Sequence, residues 1–230
     1  MSLIIPAYNE EKYIWSCLEY ALKYGDGYFH EIVVVDNAST DNTRKVAEQY
    51  PGIKVVSEHK KGTSPARNRW YLESTGDILA FVDADTHMPA WWAKKIHEKF
   101  VRDAHVWIIS GPYCFYDLPW YSFFYSRLYY APLLTYCMSK LFRWVCTGGN
   151  FAIRRTVLDK INWFNTDILF YWDEADLLHR AKNHTQNQYV LTLKMPTSSR
   201  RYKYQGVLKT GYMYLSHMFK PSNDPVKDFR

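Results

Sequence analysis

The chain has 230 residues, a formal net charge of +6, 47% hydrophobic residues and 18% aromatic residues. The length suits one α/β domain with a sizeable core; the charge is too modest and dispersed to argue for nucleic acid and suits anionic ligands such as nucleotide diphosphates or lipid headgroups. The four cysteines (Cys17, Cys114, Cys137, Cys146) show neither C-x-x-C nor zinc spacing and read as buried free thiols of a reducing compartment.

In chain order, Leu3–Ile5 reads as a short strand stopped by Pro6, with no signal-peptide pattern at this end. Glu11–Tyr24 has helical spacing, with Ile14, Leu18 and Ala21 on one face and Gly25 at its end. Glu31–Val35 is a strand. Ser39 or Thr40 caps a helix that runs to Tyr50 and stops at Pro51-Gly52. Ile53–Val56 is a third strand, and Ser64-Pro65 opens another helix. Ile78–Val82 is a strand, Pro89–Val101 a helix, and Val106–Ser110 a strand again. Alternating β and α elements predict a mostly parallel, doubly wound sheet flanked by helices. After Ser110 the pattern dissolves into an aromatic stretch, more helix and a basic tail. One domain over 1–230 follows, in three parts: 1–110, 111–205 and an amphipathic tail (206–230).

The strand Ile78–Val82 delivers Asp83-Ala84-Asp85 at its C-terminal end. Residues i and i+2 of a strand point the same way, and neighbouring carboxylates repel unless a cation lies between them. Hard oxygen ligands suit Mg²⁺ or Mn²⁺, and open α/β sheets bind ligands outside the carboxyl ends of their strands. The bland alternative is a loop aspartate pair capping the next helix. Four further segments fall at strand ends. Pro6-Ala7-Tyr8-Asn9-Glu10 leaves room for a flat base on which Tyr8 stacks, or else forms a turn capped by Asn9. Asp36-Asn37-Ala38-Ser39-Thr40-Asp41 offers Asp36 to a base imide or ribose hydroxyl, or else is a capping cluster. Lys61–Arg69, with Gly62 and Arg67, is a basic helix start that favours anions. Gly148-Gly149-Asn150 allows close backbone approach to a ligand. The acids Asp173, Glu174 and Asp176 supply a general base or merely a solvated helix start.

These segments together resemble family 2 glycosyltransferases of the GT-A fold. The resemblance lies in I-I-P-A-Y-N-E-E (4–11), V-V-V-D-N-A-S-T-D-N-T (33–43), G-T-S-P-A-R-N (62–68), F-V-D-A-D (81–85), G-G-N-F-A-I-R-R (148–155) and the acidic run at 173–177, in the family's order. It implies inverting, metal-dependent transfer of a sugar from a UDP- or GDP-sugar to an acceptor hydroxyl. It also implies roles. Pro6, Ala7, Tyr8, Glu10, Asp36 and Ser39 bind the nucleoside. Gly62, Arg67, Ala84, Gly149 and Asn150 complete the donor site, and Arg200 and Arg201 face the diphosphate. Asp83 lies near ribose and metal, and Asp85 coordinates the metal. His87 is a further ligand in the pattern of some relatives, or an exposed loop histidine. The family writes Glu-Asp where this chain writes Asp173-Glu174; by position Glu174 is the base. The Q-x-x-R-W motif of processive relatives is absent, since Gln205 precedes Gly206, which implies single additions.

The segment 118–139 carries only Arg127 as a charge among many Trp, Tyr and Ser. It reads as an interfacial helix near a lipid-linked acceptor, or as a helix covering the acceptor side of the core. The tail Val207–Lys220 poses the same choice. The expected setting is the cytoplasm, peripheral at the inner face of the membrane, in cell-envelope glycan synthesis with a glycan or lipid-linked acceptor. Two other classes stay open. A nucleotidyltransferase would carry a Gly-rich first loop, which Pro6–Glu10 lacks; a non-catalytic nucleotide-sugar-binding module would not need both acidic groups.

Overall fold

The computed structural model describes residues 1–118, 146–165, 167–168, 173–181, 186–206 and 209, with backbone only at 63, 173–175 and 186. The first half runs β1 (Ser2–Ala7), α1 (Ile14–Gly25), β2 (Glu31–Asp36), α2 (Thr43–Glu48), β3 (Ile53–Ser57), α3 (Thr63–Glu73), β4 (Ile78–Val82), α4 (Trp92–Arg102) and β5 (Val106–Ser110). The second half adds β6 (Tyr113–Phe115), β7 (Asn150–Arg154), α5 (Arg155–Lys160), α6 (Asp173–Ala181), β8 (Gln186–Tyr189), β9 (Met195–Thr197) and α7 (Arg200–Gln205).

Seven strands form one sheet in the order β3-β2-β1-β4-β7-β5-β8. All neighbours are parallel except β7, which lies antiparallel between β4 and β5. Period-two alternation sends Leu3, Ile5, Val34, Ala80 and Val82 to one face, under α1, α2 and α4. Ile4, Val33, Val35, Leu79 and Phe81 go to the other, under α3, α5 and α6. Both faces are covered, which is why the strands read as continuous apolar runs. Burial of the large side chains Trp70, Trp92, Phe81 and Phe151 anchors the two layers.

The expected strands are all present. Three helix starts differ: α4 begins at Trp92 rather than Pro89, and the other two share one reason. The loops after β1 and β2 are laced together: Asn9 N–H donates to Ser39 Oγ (3.0 Å), Glu10 N–H to Thr43 Oγ1 (2.6 Å), Glu11 N–H to Asp41 Oδ2 (3.2 Å) and Thr40 N–H to Asn9 Oδ1 (2.8 Å). Residues 10 and 11 are held by these bonds, so α1 begins at Ile14 rather than Glu11. Ser39 and Thr40 serve the clasp, and Asp41 accepts the Thr43 N–H at 2.9 Å at the start of α2 instead. Asn9 (φ 53°) and Ala38 (φ 59°) take left-handed backbone to turn the two loops toward each other.

Where the sequence pattern dissolves, the structure adds β7 to the main sheet and a two-stranded parallel sheet of β6 and β9. Cys17 is buried and Cys114 and Cys146 are partly buried, all three as free thiols. Cys137, the greater part of the aromatic segment (119–139) and all of the tail except Gly206 and Lys209 lie outside the described residues. No helix among the described residues is long and apolar enough to cross a membrane.

Candidate active site

β4 ends at Val82, and the next three residues keep its alternation. Ala84 is buried in the core, while the Asp83 and Asp85 side chains meet the loops on the other side. The Thr86 N–H and hydroxyl both close back on the Asp83 carbonyl (3.2 and 2.8 Å).

Each carboxylate is held by the small sheet. Asp83 Oδ2 accepts the Tyr113 hydroxyl at 2.6 Å, and the same Tyr113 oxygen accepts the Gly149 N–H at 2.7 Å. Gly149 packs so closely on this carboxylate that a Cβ there would lie 2.1 Å from Asp83 Cγ. Asp85 is 9% exposed. Its Oδ1 accepts from Thr197 Oγ1 (3.2 Å), and its Oδ2 lies 3.0 Å from Arg200 Nε. Arg200 also reaches Glu10 Oε1 at 2.5 Å and lies over the Tyr13 ring at 4.5 Å.

Burial pushes the Asp85 carboxyl up to about 7; the negative charges of Glu10 and Asp83 add to this and Arg200 opposes it. Burial works against the Arg200 charge too, but the bond to Glu10 and the charge of Asp85 outweigh it and hold the guanidinium firmly protonated. Two hard-oxygen carboxylates at a strand end, one of them approached closely by the Gly149 backbone, fit a divalent cation such as Mg²⁺ or Mn²⁺.

His87 is half-buried rather than an exposed loop histidine, and among the described residues no three His, Cys, Asp or Glu side chains gather around one point. Its ring is clamped between Tyr20 (4.4 Å, 5°) and Tyr116 (4.0 Å, 12°), and Nε2 sits 3.1 Å from Ser16 Oγ. Burial lowers its pKa, against the pull of Asp117.

Asn150 opens β7, its N–H bonded to the Thr147 carbonyl. It is wholly buried; its amide donates to the carbonyls of Pro112 (3.1 Å) and Leu193 (2.7 Å) and accepts from Trp92 Nε1 (2.8 Å). It ties β7 to the loops beside β5 and β9 and to α4, beneath the site rather than in it. Arg67 is buried, with its guanidinium over the rings of Phe151 and Phe164. Ser39 Oγ belongs to the loop clasp.

The remaining donor-side residues gather at the carboxyl ends of β1 to β3. Asp36 is buried and accepts the Ser39 N–H at 3.3 Å. Asn37 Oδ1 accepts the Gly62 N–H at 2.9 Å, where Gly62 has φ 136°. Pro6 is half-buried and Ala7 buried; the Tyr8 ring lies under the Lys61 ammonium at 4.9 Å, and Lys61 Nζ donates to the Tyr8 hydroxyl at 3.0 Å. Arg201 is half-buried beside Arg200 in the first turn of α7. Asp173 and Glu174 open α6, whose Leu177, Leu178 and Ala181 are buried; the two acidic side chains lie outside the described part.

Sequence reading missed Tyr113, Thr197 and Asp117. Asp117 organises the loop before α7: it accepts from Ser199 N–H (2.7 Å), Ser198 Oγ (2.9 Å) and Lys203 Nζ (3.1 Å). Burial works to raise its pKa, but these bonds prevail and hold it below the ordinary value. The only signal in the chain was the adjacency of Thr197 to the Ser198–Arg201 run. Tyr113 and Asp117 become visible only once β6 pairs with β9.

A mixed sheet covered on both faces, with acidic groups at the end of its central strand, is an α/β architecture whose ligands bind outside the carboxyl ends of the strands. The chain belongs to glycosyl transferase family 2, whose model matches residues 2–162. It is similar to the glycosyltransferase AglE of Haloferax volcanii, 34% identical over 102 residues that cover 41% of this chain and 33% of that protein. It is also similar to the dolichol-phosphate mannosyltransferase of Pyrococcus furiosus, 38% identical over 118 residues that cover 48% and 32%. The chain spans about a third of the length of the curated relatives it matches. Among solved structures, glucosyl-3-phosphoglycerate synthase from Mycobacterium tuberculosis, in complex with Mn²⁺, UDP-glucose and phosphoglyceric acid, shares the fold with a TM-score of 0.67. That match is 21% identical and covers 96% of this chain and 80% of the other.

Proposed function

We propose that this chain catalyses metal-dependent, inverting transfer of a sugar from a UDP- or GDP-sugar to the hydroxyl of a glycan or lipid-linked acceptor. The observation that carries the reading is the arrangement at the end of β4, where Asp85 meets Arg200, Arg200 also reaches Glu10, and Asp83 is held beside them by Tyr113. Family membership and the Mn²⁺ and UDP-glucose named with the mycobacterial synthase support it.

In this reading Tyr8, Glu10 and Asp36 hold the nucleoside, and Asp83 orients the ribose side of the donor. Asp83 and Asp85 would hold the divalent cation, which supplies Lewis-acid stabilisation of the charge that develops on the leaving diphosphate. Arg200 and Arg201 pair with diphosphate oxygens through charge-assisted bonds. Glu174, on the first turn of α6, removes the acceptor hydroxyl proton as that oxygen attacks the anomeric carbon from the face opposite the leaving group. The bond to the acceptor forms as the bond to the diphosphate breaks, so one displacement inverts the centre and no nucleophilic side chain is required. Residues 1–110 serve the donor and 111–205 the acceptor, apart from Arg200 and Arg201 on the donor's diphosphate, within one domain. The setting is cytoplasmic and peripheral to the membrane, with 118–139 and the tail as its contacts.

The test is a screen of UDP-, GDP- and dTDP-sugars with Mn²⁺ or Mg²⁺, read as release of nucleoside diphosphate. A positive donor whose turnover disappears with chelator and in Asp85→Ala is expected. Full turnover in chelator would overturn the metal assignment.

A further inference from the structure

The carboxylates assigned to a metal already face a cation of the protein's own. Arg200 Nε lies 3.0 Å from Asp85 Oδ2 and Nη2 lies 2.5 Å from Glu10 Oε1. Thr197 Oγ1 donates to the other oxygen of Asp85 at 3.2 Å. Both Asp85 oxygens are thus engaged by one short stretch, 197–200. A planar guanidinium suits the bridging of two carboxylates, and the Tyr13 ring, 4.5 Å from it, sets its plane. The backbone that carries it is anchored: Asp117 accepts from Ser198 Oγ, Ser199 N–H and Lys203 Nζ.

We infer that Arg200 is a tethered counter-cation that competes with the divalent metal for Asp85 and transfers to the donor's diphosphate when the metal enters. The inference rests on the metal-dependent reading above. A guanidinium and a divalent ion at one carboxylate repel, and a dry site strengthens the repulsion. Metal alone must work against Arg200. With a nucleotide diphosphate present, the displaced guanidinium gains an anionic partner with matching fork geometry. Metal and diphosphate therefore favour each other's binding, by equal factors as linkage requires. The protein holds metal poorly until a donor arrives, and the same residue that guards Asp85 then clamps the donor.

The experiment is titration of the full chain with Mn²⁺ alone, then with Mn²⁺ in the presence of UDP or GDP, followed by electron paramagnetic resonance of free Mn²⁺ at about pH 8, where ordinary carboxylates are ionised. Wild type, Arg200→Gln, Arg200→Lys and Asp85→Ala are compared. Arg200→Gln is expected to bind Mn²⁺ alone about tenfold or more tighter than wild type, while its gain from the nucleotide shrinks. Arg200→Lys keeps the charge but not the fork and is expected to fall between wild type and Arg200→Gln, and Asp85→Ala to lose the site. Should Arg200→Gln fail to fold, Tyr13→Leu, which loosens the guanidinium without removing it, is expected to tighten Mn²⁺ binding several-fold. Arg200→Gln binding Mn²⁺ no tighter than wild type, with Asp85→Ala still abolishing binding, would overturn the counter-cation role and leave the metal site standing. Absence of Mn²⁺ binding in every variant, Arg200→Gln included, would overturn the metal reading and this inference with it.

Discussion

Replacing Gly149 by alanine tests how tightly Asp83 must be placed. A Cβ at this position would lie 2.1 Å from Asp83 Cγ and 2.2 and 2.4 Å from its two oxygens, where ordinary contact begins at 3.4 Å. Something must move by the difference between the first and last of these values, about 1.3 Å. The turn cannot easily yield, because Thr147 N–H is held by Ser110 Oγ (2.9 Å), Gly149 N–H by Tyr113 Oη (2.7 Å) and Asn150 N–H by the Thr147 carbonyl (2.9 Å). The Asp83 carboxylate is half-buried and yields instead, giving up its 2.6 Å bond from Tyr113. A hydrogen bond to a charged group contributes about 1.5–3 kcal/mol, and hydration of the displaced carboxylate recovers part of that. A net loss of about 1 kcal/mol would lower Tm by about 2–4 °C in a chain of this size. The functional cost is larger, since a misplacement of about 1 Å at a reacting group costs on the order of 10²-fold. Differential scanning calorimetry together with metal-dependent diphosphate release from the donor found in the nucleotide-sugar screen measures both. Gly149→Ala with wild-type kcat/KM and unchanged nucleotide affinity would refute the close placement of Asp83; a loss of Tm far beyond a few degrees would show that the glycine serves the fold instead.

Asn150→Ala removes three buried hydrogen bonds and leaves the Pro112 and Leu193 carbonyls and the Trp92 indole N–H without this partner; it should cost about 2–5 kcal/mol in urea unfolding, whereas a merely weakened donor affinity in a fully stable protein would restore the sequence-based role. Asp117 has a depressed pKa in the fold, so its contribution to stability is present above the ordinary carboxylate value of about 4 and is lost as pH falls through the lower folded value. Asp117→Asn should therefore flatten the acid limb of the stability–pH curve, and an unchanged limb would contradict the Ser198, Ser199 and Lys203 clasp. Glu174→Gln should reduce kcat by about 10²–10⁴-fold with donor and metal binding nearly unchanged, while Asp173→Asn costs less; the reverse ranking would show that the swapped order of the acids also swapped their roles.

The sheet was legible because its strands are apolar on both faces, so five parallel-type segments stand out without any knowledge of their partners. The acidic pair was legible because strand alternation is a local rule that carries Asp83 and Asp85 past the end of β4 with Ala84 turned to the core. Helix starts were less so: Ser39, Thr40 and Asp41 are all good caps, and which of them serves is decided by residues about 30 positions away in the loop after β1. His87 and Asn150 illustrate the same limit. Their residue types suit ligation and donor contact, yet His87 lies between two tyrosines and Asn150 is drawn wholly into the interior.

By itself, the sequence determined the order of elements as far as Ser110, the doubly wound sheet they build and the chemistry presented at the strand ends, since each depends on periodicity or on neighbours within a few residues. Only the tertiary structure decided which charges oppose one another. Arg200 meets Glu10 across 190 positions and Asp85 across 115, and Thr197 meets Asp85 across 112, because β9 pairs with β6 beside the end of β4. No local pattern encodes that approach. It follows from the packing of two sheets, and it turns a run of basic residues into the counter-charge of a buried acidic site.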